Sequence, residues 1–183
     1  MIVLADLEWI ETAEEKYLTQ LSALRVDAEW NVIQATDYIV NISESLFSDE
    51  NHVALGGYPY DTFLHGISEE ECIRQFSSWL NEGDVIWVWA KSNQKYLRWL
   101  WEKYSESKRI VIYRVGGKVR STKPSMFGES SPHALIKTLT GTAGKEHRAC
   151  DDVDVLRKLF RIVGSHSFND GFQNDTLRGI WDG

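Results

Sequence analysis

Two cysteines and three prolines in 183 residues are too few to shape a fold by cross-links or rigid turns. Cys72 and Cys150 stand far apart and have no metal-ligand spacing. That argues against a disulfide framework or a zinc knuckle and fits a reducing, cytoplasmic setting. Long apolar runs are also missing. None approaches the roughly 20 residues that span a bilayer, and Asp6 and Glu8 interrupt the apolar start where a secretion signal would carry its core. No membrane association is expected. Basic residues are outnumbered: 20 Lys and Arg face 27 Asp and Glu, a net charge of −7. This counts against a protein that grips nucleic acid with a broad basic surface. It remains compatible with a local cluster of acids around a cation. The chain is long enough to bury a real core as one domain, and 43% hydrophobic with 26% charged residues is ordinary for a globular protein. Tryptophan is the exception, with eight copies.

The most informative segment is the first. Ile2-Val3-Leu4-Ala5 reads as a buried strand and ends in Asp6-Leu7-Glu8. Side chains alternate across a strand, so the two carboxylates share a face. Two anions at the edge of an apolar core repel each other and lose hydration. A divalent metal bound by hard oxygen ligands would resolve that conflict.

Beyond Glu8, a polar link (Glu11 to Lys16) leads to a second strand within Tyr17–Val26, a turn at Asp27–Asn31 and a returning strand Val32–Val40. The residues from Asn41 to about Gly66 read as loop. Ser68 precedes Glu71 by a capping-box spacing, opening a helix through Leu80 whose apolar stripe is Cys72, Ile73, Phe76, Trp79 and Leu80. Val85–Ala90 is a continuously apolar strand. A helix from Asn93 to Tyr104, a strand Arg109–Val115, a short helix Pro132–Leu139 and a final helix Asp151–Val163 follow. Gly116-Gly117 and Ser121–Ser131 read as loop. The expected architecture is an α/β domain over residues 1–163, a five-stranded mixed sheet whose first three strands are antiparallel, flanked by helices. Residues 164–183 read as a tail.

Just before the last helix stands His147-Arg148-Ala149-Cys150-Asp151-Asp152. An Asp-x-Glu pair on a first strand, with His-x4-Asp opening a late helix, resembles the DEDDh 3′–5′ exonucleases of the ribonuclease H-like fold. Leu64-His65-Gly66-Ile67-Ser68 also resembles that family's turn before a helix. The resemblance implies a metal-dependent exonuclease that takes single-stranded RNA or DNA, or a short oligonucleotide, to nucleoside 5′-monophosphates. It implies Asp6, Glu8 and Asp152 as ligands of Mg²⁺ or Mn²⁺ in a two-metal site. His147 matches the general base, and histidine ordinarily titrates near about 6.5. Trp9 and Ile10 match positions that flank the terminal nucleotide. The helix Ile73–Leu80 followed by a strand leans toward RNA-trimming members. The chain departs from the family at its remaining acid. No Asp occurs between Asp84 and Asp151, and the matching position is Asn93. Asn93 can offer a carbonyl oxygen but carries no charge, so the second metal should bind weakly.

Each feature also has a plainer reading. Asp6 and Glu8 alone could be solvated strand-end acids, and Asp151, Asp152 and Asp154 could complement a helix dipole. A lone His147 is more often a surface histidine. Cys150 invites a thiol-nucleophile reading, but no oxyanion device accompanies it. The tryptophans from Trp79 to Trp101 suit a core better than a nucleotide platform, with Trp99 exposed. Lys91, Lys95 and Arg98 form a solvated helix face or meet phosphate at a site rim. Competing functions are an exonuclease-fold module that has lost catalysis and binds nucleic acid or a protein partner, and a different metal-dependent phosphoesterase. A homodimer is one open assembly.

Overall fold

The first strand sets the frame. The computed structural model describes residues 1–48, 55–104, 107–116, 134 and 147–167, with side chains as far as Ile162 in the last segment. In it β1 (Ile2–Glu11) runs on past Glu8 through Trp9, Ile10 and Glu11. It pairs antiparallel with β2 (Lys16–Val26). The polar link is the hairpin turn, closed by Thr12 N–H donating to Glu15 O at 2.9 Å. Glu8 stands opposite Gln20 and Trp9 opposite Leu18, so Thr19 is an extra residue, a β-bulge. The Thr19 carbonyl instead accepts from Val40 N–H at 2.9 Å.

β3 (Val32–Ile39) pairs antiparallel with β2 and forms one edge. β4 (Val85–Val88) lies parallel to β1, and β5 (Val111–Arg114) parallel to β4. The order is β3-β2-β1-β4-β5, with β1 central. The expected mixed sheet is therefore present. β4 and β5 are shorter than the sequence suggested, because β4 pairs with β1 only from Ile2 to Leu4. The Trp89 carbonyl still accepts from Gly116 N–H at 3.2 Å, and Ala90 then leads into α3.

The helices are α1 (Tyr60–Leu64), α2 (Glu69–Trp79), α3 (Lys91–Lys103) and α4 (Ala149–Ser167). α1 lies inside the span read as loop. Its five residues, started by an extended Pro59, are too few to show a helical period. Ser68 caps α2 by accepting from Glu71 N–H at 3.1 Å. Ala90 stays extended and α3 begins at Lys91, two residues before the expected Asn93. α4 continues past Val163 to Ser167, into the span read as tail. The expected helix at Pro132–Leu139 lies outside the described residues except for Ala134.

Alternation along β1 divides the core. Val3, Ala5 and Leu7 pack with Ile73 and Phe76 of α2 and with Leu97 and Leu100 of α3. On the other face Leu4 and Trp87 meet Val155, Leu156, Leu159 and Phe160 of α4. Trp30 stacks on Phe160 at 4.9 Å. A third cluster, Ile10, Ile42, Leu55 and Phe63, closes the far end of β1. The family-like turn is explained by contact: a Cβ on Gly66 would lie 2.7 Å from Asn41 N and Ile39 O, so only glycine lets the chain pass there. Among the described residues no helix is long and apolar enough to cross a membrane.

Candidate metal centre

Asp6 and Glu8 leave β1 on the face that carries Leu4, and α4 covers that face. The first turn of α4 brings Asp152 over them. Oxygens of Asp6, Glu8 and Asp152 all lie within 4.8 Å of one another. Metal-free, this trio is electrostatically unfavourable. Burial, then the charges of Glu8 and Asp152, hold Asp6 well above the usual carboxylate range. Burial, the Asp152 charge and a hydrogen bond with Asp152 push Glu8 up to about 8. The cluster therefore keeps protons at neutral pH unless a cation replaces them. Its donors are hard carboxylate oxygens, which suit Mg²⁺ or Mn²⁺ and disfavour soft metals. The residues present fit such an ion.

Asn93 completes one side. It is the third residue of α3 and only 6% exposed. Its Nδ2 donates to Asp6 Oδ1 at 2.7 Å and to the Leu7 carbonyl at 3.5 Å. The Ser92 hydroxyl donates to Asn93 Oδ1 at 3.3 Å. The amide nitrogen thus faces the acids, and it can donate but cannot ligate.

His147 stands just outside α4, its Nδ1 3.8 Å from Glu8 Oε2, with half its side chain exposed. Its backbone is left-handed (φ 62°), a conformation that needs outside support. Neighbours supply it. Gly56, itself at φ 60°, approaches so closely that a Cβ there would lie 2.4 Å from the His147 carbonyl. Arg148 Nε donates to Gly56 O at 2.9 Å, and its guanidinium lies 4.2 Å from the Tyr58 ring centre. Buried Gln20 brackets the turn, donating to His147 O at 3.4 Å and accepting from Ala149 N–H at 3.3 Å. Sequence reasoning missed Gln20, Gly56, Tyr58 and Arg148. The usable signal was a glutamine amid the apolar residues of β2.

The structure thus brings Asp6, Glu8, Asn93, His147 and Asp152 together. It does not bring Ile10 to the surface: at 1% exposure Ile10 lies inside the third core cluster. Trp9 points to the opposite face from the acids and is partly buried, its ring 5.0 Å from that of Tyr96. Trp99 is 41% exposed, whereas Trp87 and Trp101 are core. Burial pushes the Cys150 thiol up, which disfavours a thiolate nucleophile.

No protein-family model matches this chain, and no curated protein matches it. Solved structures do. Exonuclease I of E. coli, in complex with a dT13 oligonucleotide, superposes with a TM-score of 0.71 at 15% identity, over 90% of this chain and 41% of that one. A 3′-exonuclease that recognises the 3′ end of the histone mRNA stem-loop gives 0.69 at 8% identity, over 88% and 62%. Cell-death related nuclease 4 gives 0.68 at 15% identity, over 90% and 64%. The chain spans about two fifths of exonuclease I. These likenesses show the fold, the ribonuclease H-like α/β architecture of exonucleases, with an acidic cluster that could hold a metal ion.

Proposed function

We propose that this chain is a divalent-metal-dependent 3′–5′ exonuclease acting on single-stranded RNA or DNA and releasing nucleoside 5′-monophosphates. The observation that carries the reading is the convergence of Asp6, Glu8 and Asp152 within 4.8 Å, beside His147. The fold supports it, since the solved neighbours are exonucleases.

Asp6, Glu8 and Asp152 would hold the cation, Mg²⁺ or Mn²⁺. When bound, it supplies positive charge against the scissile phosphate and lowers the pKa of water. His147, half exposed at the rim, takes the proton from the attacking water. Glu8 at 3.8 Å faces the imidazole and favours the charge it gains. Gly56, Arg148 and Gln20 hold the His147 backbone so that the ring stays beside the acids. Asn93 contributes no charge, so a second cation is held weakly and the rate is low. Its hydrogen bond to Asp6 also favours a second reading, an exonuclease-fold module that binds nucleic acid or a protein partner without cutting.

A 5′-labelled single-stranded oligonucleotide incubated with Mn²⁺ separates the two. Wild type should produce a slow ladder of shortened strands, absent in His147→Ala and faster in Asn93→Asp. Inert wild type together with inert Asn93→Asp would sink the enzymatic reading and leave the binding module.

A further inference from the structure

A cleft of about 710 Å³ opens against the first turns of α3, and Ser92 of its lining is the chain neighbour of Asn93. One wall is α3, which contributes Lys91, Ser92, Lys95, Tyr96 and Trp99; the other is the β1–β2 hairpin tip. Asn93 touches Asp6, so Lys91 and Ser92 stand at the junction of cleft and acids. β1 rises about 3.3 Å per residue, which puts the Glu11 end of the hairpin roughly 16 Å from Asp6.

The chemistry of the walls is uneven. On the hairpin side Glu11 is paired with Lys16 at 3.0 Å, Glu15 lies 3.5 Å from Lys103, and an exposed Glu14 completes the wall. On the α3 side Lys91 and Lys95 are exposed, and neither has a carboxylate partner among the described residues. They are four residues apart, hence on one helix face, about 6 Å along its axis. The same helix carries an aromatic ladder that emerges from the core: Trp9 against the buried Tyr96 at 5.0 Å, then Tyr96 stacked with the exposed Trp99 at 5.6 Å. Lys16 Nζ lies 5.3 Å from the Trp9 ring centre. Two lysines without a carboxylate partner among the described residues, beside an exposed Trp99 whose ring also carries Lys103 Nζ at 4.8 Å, suit one ligand class, a single strand offering regularly spaced phosphates and flat bases. A peptide or a free anion would leave half of these features unused.

We propose that the α3 wall of this cleft binds the strand upstream of the scissile phosphate, with Lys91 and Lys95 on successive phosphates and Trp99 against a base. The assignment of the strand's 3′ end to the acid cluster rests on the exonuclease reading; the binding wall itself does not. In a chain of net charge −7, such a local track replaces a general basic surface. It also gives the enzyme a length preference. A strand of about ten nucleotides reaches the track, whereas a dinucleotide engages little of it.

The test is anisotropy of a 5′-fluorescein oligothymidylate ten-mer, read in EDTA so that hydrolysis does not intervene. Each phosphate contact on a single strand contributes about 0.7 to the log–log salt slope. Lys91→Ala/Lys95→Ala should therefore flatten the slope by about 1.4 while weakening binding. Trp99→Ala should weaken it about five- to 150-fold, as expected for loss of one stacked base, with the slope unchanged. Equal affinity and slope in all three proteins overturns the track. Parallel hydrolysis with Mn²⁺ keeps the two readings apart. Cleavage with unaltered binding in the variants removes the track alone. The expected binding pattern with no cleavage removes the exonuclease alone.

Discussion

Replacing Asn93 by aspartate would put a fourth carboxylate where an amide now donates to Asp6 at 2.7 Å. Two costs arise in the metal-free protein. With Asp6 ionised, a hydrogen bond to a charged group, worth about 1.5–3 kcal/mol, is lost. A like-charge contact replaces it, worth about 4 kcal/mol at 4 Å in an effective dielectric of about 20. The sum, about 5.5–7 kcal/mol, is limited by proton uptake. The folded variant can keep one proton between Asp6 and the introduced carboxylate, at about 1.36 kcal/mol per pH unit above the ordinary Asp value near 3.9. That ceiling is about 2 kcal/mol at pH 5.5 and about 5.5 kcal/mol at pH 8. The sign is that of an acid raised on folding: stability is intact below the unfolded pKa and is lost as pH rises toward the folded one. For a domain of this size about 1 kcal/mol moves Tm by 2–4 °C. In EDTA the variant should melt about 4–8 °C below wild type at pH 5.5 and about 10–20 °C below it at pH 8. Millimolar Mn²⁺ should shrink the gap or reverse it, since the fourth acid adds a ligand. Scanning calorimetry at the two pH values, with and without Mn²⁺, reads this directly. A deficit that does not change with pH, or a variant that gains no more from Mn²⁺ than wild type, would refute the contact with Asp6.

Two further outcomes follow from the same site. Glu8, raised from 4.5 to about 8, should make the metal-free wild type lose stability as pH climbs through that window and level off above it; Glu8→Gln should flatten the trend in urea midpoints measured from pH 5 to 9. Gly56→Ala should force a Cβ to within 2.4 Å of the His147 carbonyl at a left-handed position. We expect about 1–3 kcal/mol lost in stability and, with an oligonucleotide substrate, a larger fall in kcat than in KM, as steady-state kinetics would register.

Much of the sheet was legible because its cues are local. Ile2 to Ala5, the turn at Asp27–Asn31 and the capping pair Ser68 and Glu71 each announce an element within a few residues. The acids, His147 and Asn93 were legible as a pattern across distant segments. What escaped was of another kind. α1 is too short to show a period, and β1 runs on past Glu8 because the bulge at Thr19 preserves its pairing. The support of His147 depends on Gln20, Gly56 and Arg148, which meet only after folding and whose side chains carry no linear signal. Ile10 shows a related limit: its place in the chain suits a nucleotide contact, while its side chain packs in the hydrophobic cluster of Ile42, Leu55 and Phe63.

The early end of β4 has a consequence for how this architecture can vary. β4 accompanies β1 only as far as Leu4, and the gap beyond is where Asn93 reaches Asp6 and the Leu7 carbonyl. The five residues from Trp89 to Asn93 therefore act as a ruler between sheet and site. A helix turns about 100° per residue, so inserting or deleting one residue in that stretch would swing position 93 out of the cluster altogether. Exchanging its side chain keeps the address and alters only the occupant. Drift at this corner is thus channelled into substitution rather than change of length, and an aspartate and an asparagine become neighbouring states of one scaffold.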